Sequence, residues 1–292
     1  MQVVKTVDAF RRARSALRGT VGFVPTMGYL HRGHLELMRT ANARCDHLVV
    51  SIFVNPTQFG PGEDLDSYPR DPRGDRQKCA DLGCELLLMP DSAQMYAPDH
   101  ATSVEVGGLD EVLCGARRPG HFEGVATVVT KLFNIVQPDV AVFGRKDYQQ
   151  LAILRRMTRD LNFPIAIVGV PTVREDDGLA ISSRNKYLDE RQRRDARVLS
   201  QALKRGWQAY DDGERDGEAL VGVVSERLRQ VVGSEAIDYV ECVHPESLVR
   251  YQADQRHIAG DEGAVIAVAV FFGGARLIDN LRLDRPLPGA LM

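Results

Sequence analysis

Pro25-Thr26-Met27-Gly28-Tyr29-Leu30-His31-Arg32-Gly33-His34 decides how this chain is read. Ahead of it, Val21-Gly22-Phe23-Val24 is short and apolar, as a buried strand is. Behind it, residues 35–42 place apolar side chains at helical spacing. The stretch is therefore a strand-to-helix turn. His31 and His34 sit three apart where the helix opens, on one side of its first turn. Free backbone N–H groups and the positive dipole end favour an anion there. Two imidazoles add donors, and Gly28 and Gly33 admit a close approach that a Cβ would obstruct. The arrangement suits a nucleotide phosphate cradle. Taken alone, it suits two surface histidines near a helix start equally well.

Working outward, strand and helix patterns alternate. Strands are expected at 21–25, 47–54, 85–89, 140–143 and 164–173, with a short one near 103–106. Helices are expected at 8–17, 33–45, 73–82, 120–136 and 148–161. Alternation with near-continuously apolar strands implies an α/β fold, a Rossmann-like doubly wound parallel sheet buried on both faces. After Val173 the pattern changes. Helices are expected at 190–210 and 217–232, and strands at 237–243, 264–271 and 275–280, the last two a hairpin across Gly273-Gly274. The expected organisation is thus a Rossmann-like nucleotide- and substrate-binding domain at 1–173 and a smaller α+β C-terminal lid domain at 174–292.

The 292 residues are 44% hydrophobic, enough for a sizeable core, and carry a net charge of −3. Without a global basic field, no nucleic-acid partner is expected. The start lacks an apolar signal core, and the run at 264–272 is too short to span a bilayer. The five cysteines are scattered without a Cys-x-x-Cys pair, which points to neither a zinc ribbon nor a disulfide scaffold. The expectation is a cytoplasmic protein with reduced thiols and no membrane partner.

Ligands of a doubly wound sheet bind at the carboxyl ends of the strands. Those ends hold the unusual chemistry here: the histidine turn, Asn55-Pro56-Thr57-Gln58, Gly144-Arg145-Lys146-Asp147, and residues 175–185. Lys146 offers a point charge to a phosphate, or is a surface lysine. Asp147 can orient Mg²⁺ through water, or cap the following helix. Ser182, Ser183 and Arg184 can close over a pyrophosphate, or precede a helix near Asp189. Gln58 and Gln150 suit hydroxyl and carboxylate groups.

Together these segments resemble one family. Pro25-Thr26-Met27-Gly28-x-Leu30-His31-x-Gly33-His34 is similar to the signature of the pantothenate synthetase (pantoate–β-alanine ligase) family. That family belongs to the His-x-Gly-His nucleotidyltransferases related to class I aminoacyl-tRNA synthetases. The resemblance extends through Asn55-Pro56-Thr57-Gln58-Phe59, Tyr68-Pro69-Arg70, Arg118-Pro119-Gly120-His121-Phe122, Phe143-Gly144-x-Lys146-Asp147-Tyr148-Gln149-Gln150 and Ser182-Ser183-Arg184-Asn185. It implies ATP-dependent condensation of (R)-pantoate with β-alanine through a pantoyl-adenylate, releasing AMP and pyrophosphate.

Carried over by position, the resemblance implies phosphate and catalytic roles for His31, His34, Lys146, Ser182, Ser183 and Arg184. Met27, Gly28, Gly33, Gly144, Arg145, Asp147, Val173 and Ile181 would line the nucleotide. Gln58, Gln150 and Met27 would hold pantoate or β-alanine. Mg²⁺ is expected mainly through ATP rather than on confident protein ligands, with Asp75 and Asp147 as the available carboxylates. A homodimer is the family expectation. Tyr29 and Arg145 depart from the family, which usually has alanine at the first position and often glutamate at the second. Two other readings fit the histidine motif alone: an adenylyltransferase whose adduct is the final product, and a non-catalytic nucleotide-binding protein.

Overall fold

The computed structural model describes residues 1–260 and 262–291. Asp261 and Met292, both inside the second expected domain, lie outside the described residues. Contacts divide the chain into two compact units. One comprises 1–111, 115–145 and 153–171; the other comprises 112–114, 146–152 and 172–292.

The first unit is built on β1 (Gln2–Val4), α1 (Val7–Arg14), β2 (Val21–Thr26), α2 (Arg32–Asn42), β3 (His47–Ile52), α3 (Pro72–Asp81), β4 (Leu86–Leu88), α4 (Ser92–Met95), α5 (Leu113–Arg117), α6 (His121–Val136), β5 (Val140–Gly144), α7 (Tyr148–Asp160) and β6 (Ala166–Val170), apart from residues 113–114 of α5 and 148–152 of α7, which group with the second unit. Its six strands are all parallel, in the order β1-β4-β3-β2-β5-β6. Five of them are the expected strands. The sixth, β1, pairs Gln2, Val3 and Val4 with Leu86, Leu87 and Leu88. Three residues are too few to show a period-two pattern, so that strand is specified by its partner. The expected strand at 103–106 does not form: Val104 N–H donates to Thr127 Oγ1 at 2.9 Å rather than to a ladder carbonyl.

Alternate strand residues face opposite sides of the sheet. Val24, Leu48, Val50, Leu87 and Val142 pack with Leu37, Met38 and Ala41 of α2 and Cys79 of α3. Phe143 faces the other way, its ring centroid 6.5 Å from that of Phe133 on α6. Arg14 of α1 caps the end of α6 by donating to Val136 O and Gln137 O at 2.8 and 2.9 Å. The strand order reverses between β2 and β5, and such a reversal opens a ligand crevice at the carboxyl ends. The histidine turn leaves β2 there, and Arg145 leaves β5 there.

The second unit holds α8 (Glu190–Asp195), α9 (Val198–Asp211), α10 (Gly217–Val232), β7 (Ile237–Val243), β8 (Val265–Phe272) and β9 (Ala275–Arg282). The strands form one antiparallel sheet in the order β7-β8-β9, with the expected hairpin between the last two. The expected helix at 190–210 is two helices meeting at Ala196–Arg197. Leu199, Leu203, Leu220, Val224 and Leu228 bury against Ile266 and Val268. Gly206 lets α9 approach, since a Cβ would stand 2.7 Å from Val224 Cγ2.

The main border falls at 171/172, so Val173 groups with the second unit, as do residues 146–152. Several bonds hold the latter segment within that unit. Asn280 Nδ2 donates to Lys146 O, Tyr148 OH to Pro245 O, and Gln149 Nε2 to Val112 O, at 2.7, 3.0 and 2.7 Å.

Candidate active site

In the first unit the histidine turn is built on two successive left-handed residues, Gly28 at φ 83° and Tyr29 at φ 50°. Glycine takes such a φ freely, whereas tyrosine does so at a steric cost. Asp75, 1% exposed on α3, holds the bend. Its Oδ2 accepts Tyr29 N–H at 2.8 Å and its Oδ1 accepts Leu30 N–H at 2.7 Å. Both oxygens are thus committed to the turn.

His31 occupies the N-cap of α2, and its ring centroid is 4.1 Å from that of His34. His31 N–H donates to His34 Nδ1 at 3.3 Å. With Nδ1 accepting, this bond assigns the ring proton of neutral His34 to Nε2. A Cβ on Gly33 would stand 3.0 Å from the His31 ring, so glycine lets that ring lie over the helix start.

Gln58 is 9% exposed and donates from Nε2 to Met27 Sδ at 3.0 Å, so these two expected substrate residues meet. Its amide orientation is set by Asn55, whose Nδ2 donates to Gln58 Oε1 at 3.2 Å and to Gly124 O at 3.1 Å. Tyr96 OH and Thr57 Oγ1 both donate to Asn55 Oδ1, at 2.8 and 3.0 Å, leaving its amide no alternative orientation.

The Gln58 backbone is clamped as well. Arg118 donates to Glu63 through two bonds of 2.6 Å and to His121 Nε2 at 2.9 Å. With Nε2 accepting, His121 Nδ1–H donates to Gln58 O at 2.7 Å. Burial opposes ionisation of Glu63, but the Arg118 hydrogen bonds and charge outweigh it and hold its carboxyl below the ordinary range. Asn55 and the Glu63–Arg118–His121 clamp were not among the expected site residues. The signals available were the Asn-Pro-Thr-Gln and Arg-Pro-Gly-His stretches, whose side chains converge only in the fold.

Gly144 ends β5, and Arg145 Nε donates to Gly169 O at 3.0 Å, pinning that side chain along β6.

In the second unit, Lys146 lies 3.5 Å from Asp147 Oδ1, with side chains 20% and 49% exposed. Lys146 is thus partly buried, whereas the Asp147 carboxylate is open to solvent. Gln150 is half-buried. Val173 and Ile181 are brought together by Ile181 N–H donating to Val173 O at 3.0 Å. They flank a small hairpin bridged at Arg174 and Ala180 and turning at Gly178, φ 89°. Arg193 braces the turn through bonds of 2.7 and 3.2 Å to Asp177, which hold that carboxyl below its ordinary range. The hairpin runs directly into Ser182, whose Oγ accepts Arg184 N–H at 3.3 Å, and Asn185 Nδ2 ties the loop back to Ala180 O at 3.1 Å.

Among the described residues, no cluster of three or more His, Cys, Asp or Glu side chains could hold a metal ion. No helix among the described residues is long and apolar enough to cross a membrane.

The family model described as Pantoate-beta-alanine ligase matches residues 2–282. A pantothenate synthetase from Pseudomonas fluorescens is 51% identical over 293 residues, covering 99% of this chain and 100% of that protein. The crystal structure of pantothenate synthetase from Thermus thermophilus aligns with TM-score 0.89 at 49% identity, covering 97% and 99% of the two chains. A pantoate-beta-alanine ligase from Francisella tularensis, complexed with beta-gamma ATP and beta-alanine, aligns with TM-score 0.78 at 30% identity, covering 98% and 99%.

Proposed function

The chain belongs to the pantoate–β-alanine ligase family, and on that premise we propose how its residues join (R)-pantoate to β-alanine. The enzyme is a C–N ligase that uses ATP as a substrate. A carboxylate is a poor acyl donor until one oxygen carries a good leaving group. The pantoate carboxylate oxygen therefore attacks the α-phosphorus, and pyrophosphate leaves. The β-alanine amine then attacks the acyl carbon, and AMP leaves. No protein nucleophile is required; the protein aligns reactants and stabilises phosphate charge.

In this reading, His34 donates from Nε2–H to phosphate oxygen as charge builds there, and His31 binds beside it. Met27, Gly28 and Gly33 admit the nucleotide. Gln58, with Oε1 occupied by Asn55, presents its Nε2 donor to pantoate, and Gln150 serves the same substrate. Lys146, Ser182, Ser183 and Arg184 bind phosphate oxygens, while Gly144, Arg145, Val173 and Ile181 line the nucleotide. Mg²⁺ would enter with ATP and neutralise its phosphates, and Asp147, half exposed, is the carboxylate assigned to it. The family resemblance supports a homodimer in the cytoplasm.

One observation carries the reading: the family match spans residues 2–282, well beyond the histidine motif shared with other nucleotidyltransferases. Purified protein is expected to release AMP only when pantoate, β-alanine and ATP are all present. Pyrophosphate release without β-alanine-dependent AMP would instead identify an adenylyltransferase.

A further inference from the structure

Two of the phosphate-binding segments assigned above, Lys146 and Ser182–Arg184, are tied to one step of strand β9. Asn280, 8% exposed, donates from Nδ2 to Lys146 O at 2.7 Å. Its neighbour Asp279, 1% exposed, receives Arg174 through bonds of 2.6 and 2.9 Å. Arg174 Nη1 also donates to Gly178 O at 3.0 Å, inside the hairpin that leads into Ser182. Asp279 Oδ1 further accepts Asn280 N–H at 2.8 Å, so the carboxylate holds both the arginine and the residue that reaches Lys146. Successive strand residues face opposite sides. One step of β9 therefore serves one segment on each side.

The Arg174–Asp279 pair is buried, with side chains 1% and 0% exposed. Apolar side chains of similar volume would stabilise such a site as well or better. What they would not do is hold two loops by directional bonds. We propose that Asn280, Asp279 and Arg174 are positioning residues for adenylate formation, fixing Lys146 and the arm before Ser182 to β9. The proposal rests on the reading that Lys146 and Ser182–Arg184 bind ATP phosphates. Those contacts matter when pyrophosphate leaves, and not when β-alanine attacks the adenylate. The network therefore acts on one half-reaction.

The test uses the full chain and measures the halves separately. Pantoate-dependent ATP–pyrophosphate exchange reports the first, and β-alanine-dependent AMP release from supplied pantoyl-adenylate reports the second. Asn280→Asp keeps the side-chain shape but turns the donor into an acceptor facing Lys146 O. Its kcat for exchange is expected to fall about 10- to 100-fold, the scale of a small misplacement. Its KM for pantoate and its second half-reaction should stay near those of the parent.

The double variant Arg174→Met/Asp279→Leu, with apolar side chains filling the buried site, should show the same split and decides the matter if Asn280→Asp does not fold. Undiminished exchange in a folded variant, or an equal fall in both halves, overturns the proposal. Lys146→Ala separates the two levels. Undiminished exchange there removes the phosphate reading itself, whereas a loss there with intact Asn280→Asp removes only the positioning role.

Discussion

At the scale of single residues, His34 and Asp75 divide the work of one turn. His34 carries the donor, fixed on Nε2 by the His31 N–H bond, and Asp75 carries the bend. His34→Ala is expected to lower ATP–pyrophosphate exchange by about 10²-fold or more, as loss of a transition-state charge stabiliser does; near-normal exchange counts against the role. Asp75→Asn leaves a buried turn N–H without its acceptor, a cost of about 1–3 kcal/mol. A urea titration should show that loss, and exchange should fall while pantoate affinity holds; a variant as stable and active as the parent contradicts it. Glu63 supplies a pH dependence. Its folded carboxyl ionises below the 4.5 of a free glutamate, so its contribution is complete above that pH. It is lost as pH falls through the lowered folded value. Glu63→Gln should flatten part of the acid loss of stability, seen as a shallower fall of the urea midpoint below pH 4.5, and an unchanged acid slope refutes it. Of these groups, the two histidines and Gln58 are legible in the sequence because each lies in a short recognisable segment. The work of Asp75 is not, because its partners Tyr29 and Leu30 lie 46 and 45 positions away.

At the scale of elements, the proposed pantoate side depends on how closely α6 meets the turn at Pro56–Gln58. Gly124 faces that turn, and a Cβ there would collide with Thr57 O and stand 2.8 Å from Gln58 N. Neither backbone atom can swing aside as a side chain would. Gly124→Ala is expected to cost about 1–3 kcal/mol by overpacking and to raise KM for pantoate more than KM for ATP. Steady-state titration of each substrate checks this, and equal rises place the damage elsewhere. The helix α6 itself is plain from its periodicity, but its contact with the 56–58 turn is not. Periodicity names the buried face of a helix without naming what it meets. The same limit explains β1, whose pairing with β4 is a tertiary fact imposed on three residues, and the loop at 103–106, where Thr127 displaces the expected ladder.

At the scale of the whole molecule, ATP binding should raise stability by mass action, by about 2.7 kcal/mol at a ligand concentration near 100 Kd. Scanning calorimetry with and without ATP reads this as a rise in Tm. Removing Mg²⁺ with a chelator should shrink the rise, and a chelator-insensitive shift would contradict the Mg²⁺ assignment. The parallel sheet, its expected strands and the strands of the small antiparallel sheet follow from the sequence itself. Apolar runs, helical spacing and turn residues are local records of burial, and they survive without coordinates. The reversal of strand order between β2 and β5, the grouping of residues 146–152 with the second unit, and the bonds from β9 to Lys146 and Arg174 belong to the tertiary structure alone. Asn280 and Lys146 stand 134 residues apart, and a hydrogen bond over that distance leaves no periodic or compositional trace in either segment. It exists only once the chain between them has packed.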